Sequence, residues 1–169
     1  MNDSSRGSLA DEHAPGDEVA AATDAIVARL GGGRFAVELS SVAEVGRAPG
    51  ITRVPGLPKW LAGVANWRGR ILPILDIRSL LGSDTEPLDD RARLLVLAEG
   101  SIVVGMLVDA VEGTTMLGSD VAAFPPVSAP TGSGLLSGQV PRDDGPIAVL
   151  DVAAVLRLRE GLPRGRRTA

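Results

Sequence analysis

The sequence predicts an all-β protein built from small β-barrels or a sandwich, and three observations lead to this fold class. Apolar and polar residues alternate with a period of two on both sides of a glycine turn, over residues 26–30 and 35–39. The 21 glycines and 12 prolines favour short strands joined by turns. One pattern of glycine, turn and strand also occurs twice, and this duplication favours two barrels side by side with a groove between them.

The first predicted barrel covers about residues 24–82. Residues 24–39 are expected to form a hairpin around the triple glycine, which is a turn and not a phosphate loop because no helix follows it. Prolines at high density exclude a helix over residues 46–58, which should form an extended loop. Residues 71–77 predict an apolar strand, and the acidic stretch at 83–91 is the expected boundary between the two barrels.

The second predicted barrel covers about residues 92–152. Residues 94–98 and 102–108 are apolar and flank a glycine turn, so a second hairpin is expected there. Because these strands are apolar on both faces, we expect them to be buried on both sides. The remaining assignments are a closing strand at 147–152 and a helical turn at 153–158, which end an ordered region of 24–158.

The repeated pattern begins at a glycine and ends at a Leu-Asp pair. Gly63 precedes Asp76 by 13 positions, and Gly138 precedes Asp151 by the same 13 positions. Features that are present in both copies are expected to serve the fold. The Asn-Trp-Arg-Gly segment at residues 66–69 has no counterpart in the second copy, so it is the first candidate for function.

Composition limits the chemistry that is open to this chain. There is no cysteine, and the single histidine, His13, lies in a polar stretch broken by Gly and Pro. Disulfides and thiolate chemistry are therefore excluded, and most hydrolases and metalloenzymes are disfavoured, so we expect no metal and no cofactor. The longest apolar runs fall well short of the roughly 20 residues that a membrane helix needs.

The net charge of −4 is unevenly distributed along the chain. Residues 1–24 hold six acidic residues and one arginine, and we expect a disordered acidic leader over residues 1–23. The leader lacks a basic-then-apolar signal pattern, so a cytoplasmic location is expected. An Arg-rich flexible tail is expected over residues 159–169. The acidic body holds two Phe, two Trp and no Tyr, so no nucleic-acid partner is expected for it.

Two alternatives from other functional classes stay open on the residues alone. Asp76 and Asp151 occupy matched positions and could form a carboxylate pair in a small β-barrel enzyme. Neither is followed by glycine or a small polar residue, so we favour an interpretation in which each aspartate ends a strand and caps the helical segment after it. In the other alternative, the Arg-rich tail binds nucleic acid or an acidic protein.

The segment at residues 66–69 also has two interpretations. Asn66 and Gly69 suit the backbone of a hairpin turn, whereas Trp67 and Arg68 are not required by a turn and are frequent interface anchors. The Arg68 guanidinium offers a rigid fork of donors for a carboxylate or for backbone carbonyls of a partner. In the other interpretation, Trp67 plugs a barrel end while Arg68 and Arg70 are solvated.

The most specific motifs are an Asn-x-Arg-Gly…Pro-x-x-Asp block at residues 66–76 and a Gly-x-x-Val-Asp block at residues 105–109. Together with four further stretches, they resemble the CheW-like family, the coupling proteins of bacterial chemotaxis. The resemblance extends over about residues 24–158. The further stretches that carry it are residues 30–37, 42–45, 51–58 and 138–156.

This resemblance implies a fold and a function. The expected fold is two SH3-like five-stranded β-barrels in tandem, with short helical segments, on either side of a hydrophobic groove. The expected function is that of a non-enzymatic adaptor, which links the cytoplasmic hairpin tip of methyl-accepting chemoreceptors to the regulatory domain of a CheA-type histidine kinase. The protein would be recruited from the cytoplasm to receptor arrays at the inner membrane without inserting into the membrane.

The resemblance also implies which residues bind the partners. The arginine of the family motif falls on Arg68, beside Asn66 and Trp67, and Trp67 stands where the family usually has Leu or Ile. From the residues alone, Glu44 would be an ordinary solvated side chain. The groove positions implied by the resemblance are Val42, Glu44, Gly63, Gly105 and Val108.

Overall fold

The computed structural model describes residues 21–124 and 132–161, and in this part of the chain ten strands dominate. The predicted leader, apart from its last three residues, and the tail beyond residue 161 lie outside the described residues. The strands are β1 (Thr23–Leu30), β2 (Gly33–Glu38), β3 (Val42–Arg47), β4 (Leu61–Trp67), β5 (Arg70–Leu75), β6 (Arg93–Glu99), β7 (Ile102–Val108), β8 (Ala110–Leu117), β9 (Leu136–Val140) and β10 (Ile147–Leu150). The helical segments are α1 (Val152–Arg157) and 3-10 turns at Leu39–Ser41, Ile77–Ser79, Ser133–Leu135 and Leu158–Gly161. Within these ranges no helix has the length and apolar character that crossing a membrane requires.

The strands form two five-stranded sheets, which confirms the predicted all-β class. The first sheet has the order β8-β1-β2-β10-β9, and the second has the order β3-β6-β7-β5-β4. Neighbouring strands are antiparallel except for one parallel pair in each sheet, β2 with β10 and β5 with β7. The two hairpins expected from the glycine turns are present as β1–β2 and β6–β7.

The sheets do not follow the predicted division into barrels at residues 24–82 and 92–152. Each sheet combines the opening hairpin of one half of the chain with three strands of the other half. Strand β1 pairs with β8, and β6 pairs with β3. Each hairpin therefore belongs to the sheet that the other half of the chain mainly forms. Strand periodicity shows which residues share a face, but it does not show which strand pairs with which. No local pattern in the sequence could therefore predict how the strands divide between the two sheets.

The duplication predicted from the sequence is visible in both sheets. Replacing each strand by the strand five places along the chain converts one sheet order into the other. Gly63 and Gly138 stand in matching places, because a Cβ at Gly63 would overlap the carbonyl oxygen of Thr52 and a Cβ at Gly138 would lie 2.6 Å from that of Ala122. Glycine is required at both positions because a neighbouring carbonyl oxygen leaves no room for a side chain.

Both faces of the sheets contribute to hydrophobic cores. Strand β6 shows the arrangement, since Leu94 and Val96 pack inside the second sheet while Leu95 and Leu97 pack toward the first sheet. The expectation that β6 and β7 are buried on both sides is therefore confirmed. The space between the sheets holds a continuous core. Its fully buried members include Val37, Leu75, Ile77, Val104, Met106, Val108 and Val155.

Asp76 and Asp151 end strands in different sheets. Asp76 follows β5, and its carboxylate accepts a hydrogen bond from the backbone N–H of Arg78 at 3.3 Å. Asp151 follows β10, and its carboxylate accepts from the backbone N–H of Ala154 at 3.0 Å. The capping interpretation is confirmed, and the two aspartates do not form the facing pair that an enzyme of the aspartic-protease type would need.

Candidate partner-binding site

Strands β4 and β5 are joined by a two-residue turn, Arg68-Gly69, in which both residues have positive φ, at 51° and 80°. Positive φ at both central residues is the signature of a type I′ hairpin, which prefers Asn-Gly or Gly-Gly. Asn66 supports the turn by accepting a hydrogen bond from Gly69 N–H at 2.8 Å. A non-glycine residue in this conformation costs about 1 kcal/mol. The turn geometry therefore does not account for an arginine at position 68.

Glu44 and Trp67 connect the two edge strands of the second sheet, β3 and β4. The indole Nε1–H of Trp67 donates a hydrogen bond to Glu44 Oε2 at 3.0 Å. The indole ring lies against Gly46, where a Cβ would overlap it. The other carboxylate oxygen of Glu44 forms an ion pair with the guanidinium of Arg68. We call the group formed by Glu44, Asn66, Trp67 and Arg68 the edge cluster.

Members of the edge cluster differ in their exposure to solvent. Trp67 is half-buried and packs on the inner core of the second sheet, as the interpretation as a plug expects, while its role in partner binding stays a prediction. The Arg68 side chain is 74% exposed, whereas that of Glu44 is 29% exposed. Ile71, which pairs with Asn66 across the hairpin, is 67% exposed. An arginine and an apolar side chain are thus both exposed within three residues of the same turn.

The other predicted groove residues are mostly buried. Val42 is half-buried and packs on the core between the sheets, and Val108 is fully buried in that core. Gly105 is buried, and a Cβ there would lie 2.6 Å from Ile74 and 2.8 Å from Leu94 in the core of the second sheet. Gly63 is also buried. Gly63, Gly105 and Val108 thus offer no exposed side chain in this structure, and their role in partner binding stays a prediction.

Sequence analysis missed one charged group, Arg78, which is 5% exposed and is the single buried charged residue in the described ranges. Its guanidinium donates to Asp76 Oδ1 at 2.9 Å and Oδ2 at 2.7 Å, to Asp109 Oδ1 at 3.0 Å and to the carbonyl of Glu86 at 2.9 Å. Hydrogen bonding to Asp76 is the main cause that raises the pKa of Arg78 above its usual value, against the opposing effect of burial. The arginine therefore stays charged inside the protein.

Asp109 extends this network from the second sheet to the first. Its Oδ2 accepts a hydrogen bond from Gly31 N–H at 2.6 Å, and its own N–H donates to the carbonyl of Arg29 at 2.9 Å. Ser83 Oγ donates to the carbonyl of Gly31 at 3.0 Å. The network thus holds the β1–β2 turn against the second sheet. A signal was present in the sequence, since Arg78 follows Asp76 by two positions in a mainly apolar stretch, but its second partner, Asp109, lies 31 positions away and could not be identified there.

In the second copy, a charged residue occupies the position that matches Trp67. Arg142 lies 75 positions after Trp67, the same offset that separates Gly138 from Gly63. It pairs with Asp120 at 2.8 Å and lies 3.5 Å from Thr115 on β8. Hydrogen bonding by Arg142 is the main cause that lowers the pKa of Asp120. The residues that follow are Asp143 and Asp144, so this turn has no arginine at the position of Arg68.

The family described as "CheW-like domain" matches residues 24–160. The protein PilI of Pseudomonas aeruginosa is 38% identical over 103 residues, which are 60% of this chain and 58% of that protein. The chemotaxis protein CheW of Bacillus subtilis is 32% identical over 84 residues, or 50% of this chain and 54% of that one. The chain thus spans little more than half the length of these curated relatives.

A solved structure resembles the fold as well. It is the crystal structure of the scaffolding protein TtCheW from Thermoanaerobacter tengcongensis, which aligns with a TM-score of 0.69 at 23% sequence identity. The alignment covers 76% of this chain and 88% of the other. This similarity shows that the two chains share a fold.

Proposed function

Because this chain belongs to the CheW-like domain family, we propose that it is a non-enzymatic adaptor that couples chemoreceptors to a CheA-type histidine kinase. The family comprises scaffold and adaptor proteins of chemotaxis-like signalling, and the similar solved structure bears the description of a scaffolding protein. The proposed partners are the regulatory domain of the kinase and the cytoplasmic hairpin tip of a methyl-accepting chemoreceptor. The proposed location is the cytoplasm, with recruitment to receptor arrays at the inner membrane.

The observation that carries this proposal is the exposed Arg68 at a turn position that favours glycine or asparagine. Local strain that the rest of the structure maintains is a feature of functional positions. Glu44 engages one end of the guanidinium and leaves other N–H donors directed to solvent. Arginine is enriched among the residues that dominate interface energies, and its fork suits carboxylates and backbone carbonyls. Arg68 is therefore the proposed anchor.

The arrangement of the carboxylates also supports an adaptor over a small β-barrel enzyme. Asp76 and Asp151 both cap helical segments, and Asp76 is further engaged by Arg78. Their positions at the ends of strands in different sheets are those of structural residues.

Replacement of Arg68 tests the proposal directly. Arg68→Ala is expected to weaken binding of the kinase regulatory domain by about 1–3 kcal/mol, the range typical of an interface anchor. Arg68→Gly is expected to weaken binding equally while leaving the melting temperature unchanged or slightly higher, because glycine adopts φ near 51° without strain. Isothermal titration calorimetry and thermal melting measure the two effects separately.

Arg70→Ala serves as the matched control, since Arg70 is an exposed arginine at the other side of the same turn. In addition, a pull-down from the native cytoplasm with wild type and Arg68→Ala, read by mass spectrometry, identifies the partners. A histidine kinase and a long coiled-coil receptor should be recovered with wild type and be depleted with the variant. Equal recovery with both would remove Arg68 as the anchor. If both partners are expressed and neither is recovered with wild type, the coupling role is contradicted.

A further inference from the structure

Trp67 occupies a junction where one side chain contacts both the core and the exposed turn. Its ring packs against Gly46 and the inner core of the second sheet, while its N–H donates to Glu44. The two oxygens of Glu44 are divided between two donors, Oε2 for Trp67 and Oε1 for Arg68. The chain of contacts therefore runs from a half-buried residue, through Glu44, to the most exposed member of the edge cluster.

The equivalent place in the other sheet shows what this arrangement adds. Arg142, at the position that matches Trp67, pairs with Asp120. Among the described residues, no second basic side chain pairs with Asp120. A neutral indole leaves the full charge of Glu44 available to the next residue, whereas Arg142 neutralises its own carboxylate partner. In the edge cluster, Arg68 is therefore the one cation that the Glu44 carboxylate engages among the described residues.

We propose that Trp67 is a positioning residue, which fixes the carboxylate of Glu44 so that Glu44 holds Arg68 in the orientation that a partner meets. The inference rests on the proposed function, in which Arg68 is the docking residue. Without Trp67, Glu44 and Arg68 would form an ordinary surface ion pair, which contributes little because both long side chains must be ordered. With Trp67, part of this ordering is complete before the partner binds, and preorganisation of this kind increases affinity.

The test compares Trp67→Phe with Trp60→Phe. Phenylalanine keeps an aromatic ring against Gly46 and removes the indole N–H, while Trp60 is a second half-buried tryptophan that packs on the core between the sheets and serves as the control. Side-chain order at the Nε of Arg68 is measured in the free protein by nitrogen-15 relaxation. Trp67→Phe is expected to reduce that order to the level of Arg70, and Trp60→Phe is expected to leave it unchanged.

A second variant covers the case in which Trp67→Phe does not fold. Glu44→Asp keeps the charge and leaves the indole ring in place, but the shorter side chain cannot reach both donors. It is expected to mobilise Arg68 in the same way. If Arg68 remains as ordered in the folded variants as in wild type, the positioning role is contradicted.

Affinity for the kinase regulatory domain supplies an independent measurement. Trp67→Phe should weaken binding by about 3- to 10-fold, in line with the net contribution of one typical intramolecular hydrogen bond, and should have no further effect in a Glu44→Ala background. An equal loss in both backgrounds would mean that Trp67 acts without Glu44 and would contradict the inference. If wild type does not bind the domain, the proposed function fails, and the relaxation measurement alone decides the positioning role.

Discussion

Arg78→Ala is expected to lower the free energy of unfolding by about 3 kcal/mol or more, because it leaves two carboxylates and a carbonyl without their partner. The side chains of Asp76 and Asp109 are 13% and 29% exposed, so water can compensate for only part of the lost contact. The change also releases Glu86, whose carbonyl accepts from the guanidinium. Urea unfolding monitored by circular dichroism measures the loss.

Two further variants make this expectation specific. Arg91→Ala is the control, because Arg91 also pairs with an aspartate but is 79% exposed, and surface pairs contribute about 0–1 kcal/mol. Arg78→Lys should fall between wild type and Arg78→Ala, since an ammonium keeps the charge but cannot bridge Asp76 and Asp109 with a planar fork. Equal, small losses for Arg78→Ala and Arg91→Ala would show that the network does not hold the sheets together.

Gly63→Ala is expected to have a comparable effect for a different reason. Gly63 has a φ of 144°, and a Cβ there would overlap the carbonyl oxygen of Thr52. Relief of this overlap would disrupt the hydrogen bonds between Thr52 and Val64, at 2.8 Å and 3.0 Å. Backbone strain and two lost hydrogen bonds together should lower the free energy of unfolding by about 2–5 kcal/mol, a fall in melting temperature of roughly 5–15 °C.

Gly50→Ala is the matched control, because Gly50 has no atom within 4 Å of the added methyl group and no positive φ. It should leave the melting temperature within about 2 °C of wild type, as surface substitutions usually do. The pair of variants also decides how Gly63 acts. A Gly63→Ala protein with wild-type stability and weak partner binding would restore the predicted role of Gly63 as a contact residue and contradict the backbone role described above.

The parts of the fold that the sequence predicted correctly are those encoded in neighbouring residues. The period-two patterns located the hairpins, and Leu-Asp at the end of two strands located the caps at Asp76 and Asp151. The apolar runs over β6 and β7 predicted strands that are buried on both faces. Each of these features depends on residues a few positions apart, so a linear pattern contains all the information that they need.

The pairing of strands from different halves was not predictable in the same way. A hairpin with two apolar faces can complete either sheet, and the duplication makes the two choices almost equivalent in sequence. The buried Arg78 shows the same limit, because its partner Asp109 lies 31 positions away and becomes adjacent only when β7 runs beside β5. The division into two successive barrels was therefore a reasonable interpretation of the sequence that the sheet topology overturned.

The sequence by itself determined the fold class and the duplication. It also showed the motif at residues 66–76 that resembles the CheW-like family, and it made Arg68 the first candidate for function. Only the tertiary structure decided that Glu44, 23 positions before Trp67, joins that segment, and that Gly105 and Val108 lie in the core. The physical reason is that turns and caps arise from local backbone preferences. Exposure and side-chain contacts depend on which edges of a sheet meet, and β3 and β4 meet only after all five strands have paired.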